Sequence, residues 1–211
     1  MIKDNYFQKK NLEKISGYAE TKFVDCYEIY PNSIEECKNI IEVAKNNQLS
    51  ICNKGNGLSY SDLITNEDNI VLNLNKLNKI LNWNKSSGII EVESGVSFGQ
   101  IFNVCMLDNW TLSSCPGSMD ITVGGAISNN VHGKDSYKMG NFGKHVLSLE
   151  ILLSSGDIVK IDKKNNKELF FSIIGGLGLI GVITKVELQL KKIFSPFVKS
   201  YNKISNNIHQ T

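Results

Sequence analysis

Eleven of the 17 glycines in this 211-residue chain fall between Gly117 and Gly181. Glycine lacks the Cβ that bars positive φ, so it gathers where the backbone turns tightly or approaches something closely. A region so rich in it reads as short elements joined by bends. Around that region the pattern is mixed. Ser33-Ile-Glu-Glu36 is a capping-box signature, and Ile34, Cys37, Ile41 and Ala44 recur behind it at helical spacing, so an amphipathic helix is predicted over 34–47. Apolar stretches at 27–31, 49–52, 69–74 and 88–93 read as strands, and Ser97-Phe-Gly-Gln100 opens a second capped helix reaching about Leu107. Residues 111–114 read as a further strand. Residues 145–154 and 157–161 make a hairpin around Ser155-Gly156, followed by a short helix at 167–174 and a long alternating strand at 182–190. The early part is thus β-α-β with parallel potential and the later part antiparallel. This is an α+β chain of two lobes meeting near 115–145, with the weakly patterned first two dozen residues as a peripheral arm.

Charge narrows the function. The 23 basic and 21 acidic side chains leave a net charge of +2, which provides no basic field of the kind nucleic acid binding needs. No apolar run reaches the roughly 18 residues of a membrane span, and the N-terminus lacks the apolar core of a secretory signal. A soluble, cytoplasmic protein is the expectation. All 23 basic residues are lysine, so the chain has no guanidinium fork with which to grip phosphate or carboxylate. Any anion must be held by backbone N–H groups, hydroxyls and lysine. Cys26, Cys37, Cys52, Cys105 and Cys115 are widely spaced with no Cys-x-x-Cys pair, which points to buried reduced thiols rather than zinc or disulfides.

Gly176-Leu-Gly178-Leu-Ile-Gly181 matches a dinucleotide fingerprint, but that motif needs a strand before it and a helix after it. Here the order is reversed and no acidic residue follows about twenty positions on, so a Rossmann reading is rejected and a nicotinamide dehydrogenase is weakened as an alternative. Three other bends carry more. Asn53-Lys54-Gly55-Asn56-Gly57-Leu58-Ser59-Tyr60-Ser61-Asp62 follows a strand directly, and its successive N–H groups can converge on an anion, with Lys54, Ser59 and Ser61 as added donors. Taken alone it is equally a Gly/Asn/Ser surface turn. The segment from Pro116, Gly117 and Ser118 through Thr122, Val123, Gly124, Gly125 and Ala126 to Asn129, Asn130, Val131, His132 and Gly133 is poor in charge. Its small residues suit either a flat ring or close helix-on-sheet packing. Gly140-Asn-Phe-Gly143 is the third bend.

Taken together, these loops resemble the FAD-binding domain of the vanillyl-alcohol oxidase/p-cresol methylhydroxylase (PCMH) superfamily, and within it the decaprenylphosphoryl-ribose 2-oxidase family of sugar oxidases. The resemblance rests on Gly55–Asp62, Pro116-Gly117 with Thr122–Ala126, Val131-His-Gly-Lys134, Gly140–Gly143 and the ending 175–183, in matching order over about 15–195. It implies a two-lobed PCMH-type domain with FAD between a small β-α-β lobe and an antiparallel lobe. Asn53–Asp62 would be the pyrophosphate loop. Gly117, Thr122–Gly125 and Asn129–His132 would line the isoalloxazine and ribityl chain, and Val182 and Ile183 the adenine side. His132 and Lys134 would stand at the substrate side of the flavin. For His132 the roles of orienting group, proton acceptor and structural hydrogen-bonder stay open, as do a substrate phosphate and bulk water for Lys134. Helix N-terminal N–H groups around Ala126–Asn130 would face the flavin N1/C2 carbonyl.

The same resemblance sets further expectations. Where the family's pyrophosphate loop carries arginine, this chain has Lys54 and Leu58, and Leu58 stands where covalent relatives carry the flavin-linked histidine, so dissociable FAD is implied. Cys115 resembles the second flavin-bonded cysteine of berberine-bridge-type relatives, but the stretch to Gly124 is longer here. The implied activity is oxidation of a CH–OH group of a sugar, sugar phosphate or lipid-phosphate-linked sugar, with hydride passing to flavin N5. The alternative is an FAD-binding module that is not catalytic without a C-terminal substrate domain. The implied organisation is an arm at 1–20, the FAD-binding domain at 21–195, and the start of a substrate domain at 196–211. The chain is then expected to be a fragment, a truncated product or half of a two-chain enzyme, with a second chain or a reductase as partner.

Overall fold

The structure, a computed structural model, describes residues 7–210. It is α+β with two sheets. The first sheet has the order β1-β2-β4-β3, built from β1 (Glu13–Ser16), β2 (Phe23–Ile29), β3 (Ile51–Lys54) and β4 (Ile70–Asn73). β2, β4 and β3 are parallel, and β1 pairs antiparallel with β2. Residues 13–16, read as part of a peripheral arm, are therefore an edge strand whose Ile15 is buried against Val24, Cys26 and Val71; residues 1–6 of that arm lie outside the described residues. The strand was illegible because only one of its four side chains turns inward.

Parallel β2 and β3 need a crossover, supplied by α1 (Ile34–Asn46). Its buried face of Cys37, Ile40, Ile41 and Ala44 lies on Tyr27, Ile29, Ile70 and Leu72. The anticipated capping box is half formed. Ser33 Oγ accepts from the Glu36 N–H at 3.2 Å, but the Glu36 carboxylate accepts from Asn32 instead, where backbone N–H (2.7 Å) and side-chain amide (3.1 Å) both reach it. At α2 (Phe98–Cys105) both halves are present, with the Ser97 N–H donating to Gln100 Oε1 at 2.9 Å and the Gln100 N–H to Ser97 Oγ at 3.2 Å.

The second sheet is wholly antiparallel, in the order β5-β6-β10-β8-β9. It comprises β5 (Ile80–Asn84), β6 (Ile89–Glu93), β8 (Val146–Leu153), β9 (Ile158–Asp162) and β10 (Gly181–Gln189). Sequence reading missed β5, an edge strand with a register shift and three exposed residues. Of the strand expected at 111–114, only β7 (Trp110–Thr111) pairs, with β11 (Lys191–Lys192). α2, α3 (Val123–Ser128) and, beyond the single-turn α4 (Ser136–Met139), α5 (Lys167–Ile173) contribute Phe98, Ile101, Val123, Ile127 and Phe170 to this sheet's core, while Leu152 and Val182 reach across into the core of α1. The two lobes therefore share apolar contact. Among the described residues no helix is long and apolar enough to cross a membrane.

Candidate functional site

Asn53 leaves β3 at its C-terminal end and is the first fastening between the lobes. Its side-chain Nδ2 donates to Gly178 O at 2.9 Å and Gly181 O at 3.1 Å. Because both partners are carbonyls, the amide can sit only one way round, which leaves Oδ1 as a buried acceptor without a partner. Next, Gly55 lies so close to Thr122 that an added Cβ would collide with its hydroxyl. The Asn56 side-chain amide donates to Asp120 O at 2.7 Å, and Gly57 turns the chain at φ +72°. The first bend is thus fixed to the second.

The second bend is fixed in turn to the others. The Gly175 and Leu177 N–H groups donate to Ile127 O and Ser128 O, so the glycine turn between α5 and β10 seats on the end of α3. That order, helix then glycines then strand, is the reverse of a Rossmann fingerprint, as expected. The third bend closes on Asn130, whose carbonyl accepts from Asn141 Nδ2 at 3.2 Å and whose Oδ1 accepts from the Gly143 N–H at 3.1 Å. Beyond it, 131–134 runs alongside 114–115. The Ser114 N–H donates to Asp135 Oδ1 at 3.0 Å, and Asp135 is paired with Lys191, also at 3.0 Å. Burial raises the Asp135 pKa, but the Lys191 hydrogen bond and charge, with backbone N–H donors, hold it below the usual carboxylate value.

The structure therefore brings together Asn53–Gly57, Asp120–Gly125, Asn129–Gly133 and Gly175–Val182 along one junction. His132 and Lys134 are exposed beside the 114–116 segment. Val182 joins Ile51, Asn53, Gly178 and Leu179 in lining a cleft of about 200 Å³ against α1. The Ile183 side chain instead points into the core of the larger sheet. Gly124 packs on Ser94, in the turn just after β6, which is a close-packing role.

Two expectations are corrected. The N–H groups around Ala126–Asn130 are not free helix N-terminal donors, because α3 starts at Val123 after the Thr122 cap. Those of Ala126, Asn129 and Asn130 donate to Thr122 O, Gly125 O and Ile127 O. Lys54 is not an open donor either, since its ammonium is 2.9 Å from Glu28 Oε1 inside the small lobe. What is open is the loop's main chain: among the described residues no N–H from Gly55 to Asp62 has a partner in the protein. Such an array can hold an anion of the pyrophosphate kind. The orphaned Asn53 Oδ1 and the cleft beside it add an acceptor and room at one end. Among the described residues no cluster of His, Cys, Asp and Glu would hold a metal.

A family model described as FAD binding domain matches residues 27–162, well over half of the chain. The chain belongs to that family. Its cofactor is FAD, and the donors along the junction fit it. Among curated relatives, decaprenylphosphoryl-beta-D-ribose oxidase of Mycolicibacterium smegmatis is 28% identical over 159 residues, covering 75% of this chain and 35% of the relative. L-gulonolactone oxidase of Bos taurus is 27% identical, covering 83% and 41%. This FAD-binding chain spans about 35–41% of the length of these relatives. Two solved structures share its fold. BBE-like 1 of Physcomitrella patens has a TM-score of 0.79 at 17% identity over 90% of this chain and 45% of its own. 6-Hydroxy-D-nicotine oxidase of Arthrobacter nicotinovorans has 0.72 at 22% over 78% and 36%. The PCMH-type resemblance drawn from the bends stands.

All five cysteines are free. Burial, with the Asp135 charge, pushes the Cys115 thiol up to about 12, so at neutral pH it is protonated and not poised to bond a flavin. Iodoacetamide at pH 7.5 should label Cys115 roughly a hundredfold more slowly than the same thiol in the unfolded chain, read by peptide mass spectrometry. Equal rates would place an ionised thiol at the junction.

Sequence reading missed the contributions of the β1–β2 turn and of Glu28. The Tyr18 N–H donates to Ser59 O at 2.8 Å, and the Tyr18 ring meets Tyr60 edge-on at 5.5 Å, so the turn carries the far side of the first bend. No local signal marks either contribution, because both depend on pairing between strands distant in sequence.

Proposed function

We propose that this chain forms the FAD-holding part of a flavoprotein oxidoreductase that oxidises a CH–OH group of a sugar or sugar-derived alcohol, and that the FAD is dissociable. The observation that carries the reading is the unpaired main-chain N–H array from Gly55 to Asp62, fastened at Asn56 and Gly55 to the Thr122 bend. The array would hold the pyrophosphate, the 117–133 segment would border the ring system, and Val182 with the Ile183 main chain would border the adenine side. The relatives named as a ribose oxidase and a gulonolactone oxidase support a sugar or lactone class of substrate. Bound flavin would supply the redox chemistry as the hydride acceptor. His132, exposed between Val131 and Gly133, is available to orient a substrate hydroxyl or to take its proton, and Lys134 to meet a substrate phosphate. Leu58 has no nucleophile for a flavin bond, and the raised Cys115 thiol supports the same non-covalent reading.

A second reading is a binding module that becomes catalytic only with a substrate domain, supplied in the same chain or by another. The short span relative to the relatives supports it. So does the run beyond β11, where Phe194, Phe197, Val198, Tyr201, Ile204 and Ile208 are all exposed. Titration with FAD tests the first claim, with quenching of flavin fluorescence and a bound-flavin absorbance band expected. Protein that acquires no such band refutes it. Anaerobic bleaching of bound flavin by aldose or aldonolactone substrates then separates the readings, because a module alone leaves the band unchanged.

A further inference from the structure

Lys54 and Glu28 lie under the first bend, and their pairing decides how charge reaches the site. The two side chains are only 15% and 6% exposed, with Nζ and Oε1 2.9 Å apart. The same Oε1 accepts from Asn73 Nδ2 at 2.6 Å. Lys54 and Asn73 thus both donate to the same Glu28 oxygen. Burial, with the nearby Glu28 charge, pushes the Tyr30 phenol up to about 12. The lysine stem runs directly beneath the turn, where a Cβ on Gly57 would sit 3.3 Å from Lys54 Cε and 4.0 Å from Nζ.

We propose that Glu28 and Lys54 are positioning residues for the FAD site. They form a self-neutralised ion pair that props the glycine bend in its binding shape and leaves the pyrophosphate to main-chain N–H groups alone. This rests on the FAD reading above and deepens it. An ion pair projects a field that falls off faster than that of a lone ammonium, so it adds little attraction for an anion on the other side of the loop. Its contribution is shape. Removing one partner leaves an uncompensated buried charge that the loop must move to hydrate, whereas replacing both partners by uncharged groups removes that need. In a chain without arginine this separates the anion donors from the cation that supports them.

The full chain tests this by flavin titration with FAD at two salt concentrations. The wild-type Kd should change less than about threefold between 0.05 and 0.5 M NaCl, because no exposed cation contributes. Glu28→Gln and Lys54→Met should each weaken FAD binding by roughly tenfold or more, and the double variant should return to within about threefold of wild type. If Lys54 instead gripped phosphate, Glu28→Gln would free it and tighten binding, the double variant would stay as weak as Lys54→Met, and the wild-type Kd would rise steeply with salt. Any of these overturns the proposal, as do single variants that lower Tm and leave the Kd unchanged. Should the single variants not fold, the double variant and the wild-type salt series still decide. Wild-type protein that binds no FAD at any salt refutes the cofactor reading instead, a separate outcome.

Discussion

Gly133→Ala is expected to weaken FAD binding at least tenfold, about 1.4 kcal/mol, while both sheets stay folded. A Cβ on Gly133 would stand 2.5 Å from the N and O of Cys115 and from the C of Ser114. All three are main-chain atoms, so no side-chain rotation relieves the clash and one strand of backbone must move. The 114–115 side is the better held. The Ser114 N–H is bonded to Asp135, the Ser114 hydroxyl to Gly140 O, and Asp135 is locked by Lys191. The displacement therefore falls on 131–134, which carries His132 and Lys134 and is attached to the third bend by the Phe142 N–H bond to Val131 O at 2.9 Å. Overpacking of this kind typically destabilises by about 1–3 kcal/mol, a drop in Tm of roughly 3–10 °C for a chain of this size. Flavin titration beside a thermal melt checks both parts. Wild-type affinity in a folded variant would show that the exact course of 131–134 does not matter to the cofactor.

The elements that could be read from the sequence are those whose cause is local. α1 and α2 announce themselves by an N-capping serine and a helical stripe, and the β8–β9 hairpin by Ser155-Gly156 between alternating strands. The glycine bends were legible for the same reason, since a residue without a Cβ marks a tight place whatever surrounds it. The functional setting of those bends was not. Lys54 reads as a phosphate donor until β2 is laid parallel to β4, with β3 on its other side, so that Glu28 and Asn73 come together and meet it. Asp120 and Ser128 serve through their carbonyls, which carry no side-chain signature. The misplaced helix start had a signal available. Thr122 followed by a run of small residues is an N-cap, and its hydroxyl accepts the Gly125 N–H at 3.3 Å. Reading that cap would have shown the N–H groups around Ala126–Asn130 to be already committed. Resemblance reached the cofactor because it compares the whole order of bends, whereas the pairing beneath them is specific to residues no motif contains.

The largest loss of stability is expected from Phe98→Ala. Phe98 opens α2, is fully buried, and stacks on Phe142 with ring centroids 5.1 Å apart and planes at 27°. Truncating such a ring removes about 3–5 kcal/mol of transfer and cavity energy, the stacked neighbour included in the loss of contact. The Tm should fall by roughly 10 °C or more in a chain of this size. The position of the cavity matters as much as its size. The Phe98 N–H donates to Ile121 O at 2.9 Å, just before the Thr122 bend, and Phe142 lies within the third bend. The two rings are thus the common floor of two of the bends. FAD bound across those bends should restore part of the lost Tm, because a ligand held at a hundred times its Kd stabilises the folded state by about 2.7 kcal/mol. Calorimetry with and without FAD checks this. If FAD at one fixed concentration raises the Tm of Phe98→Ala by as much as it raises that of the wild type, the floor serves folding and the bends keep their shape without it. A smaller rise, with a weaker Kd, means that the same two rings hold the core together and set the bends against the cofactor.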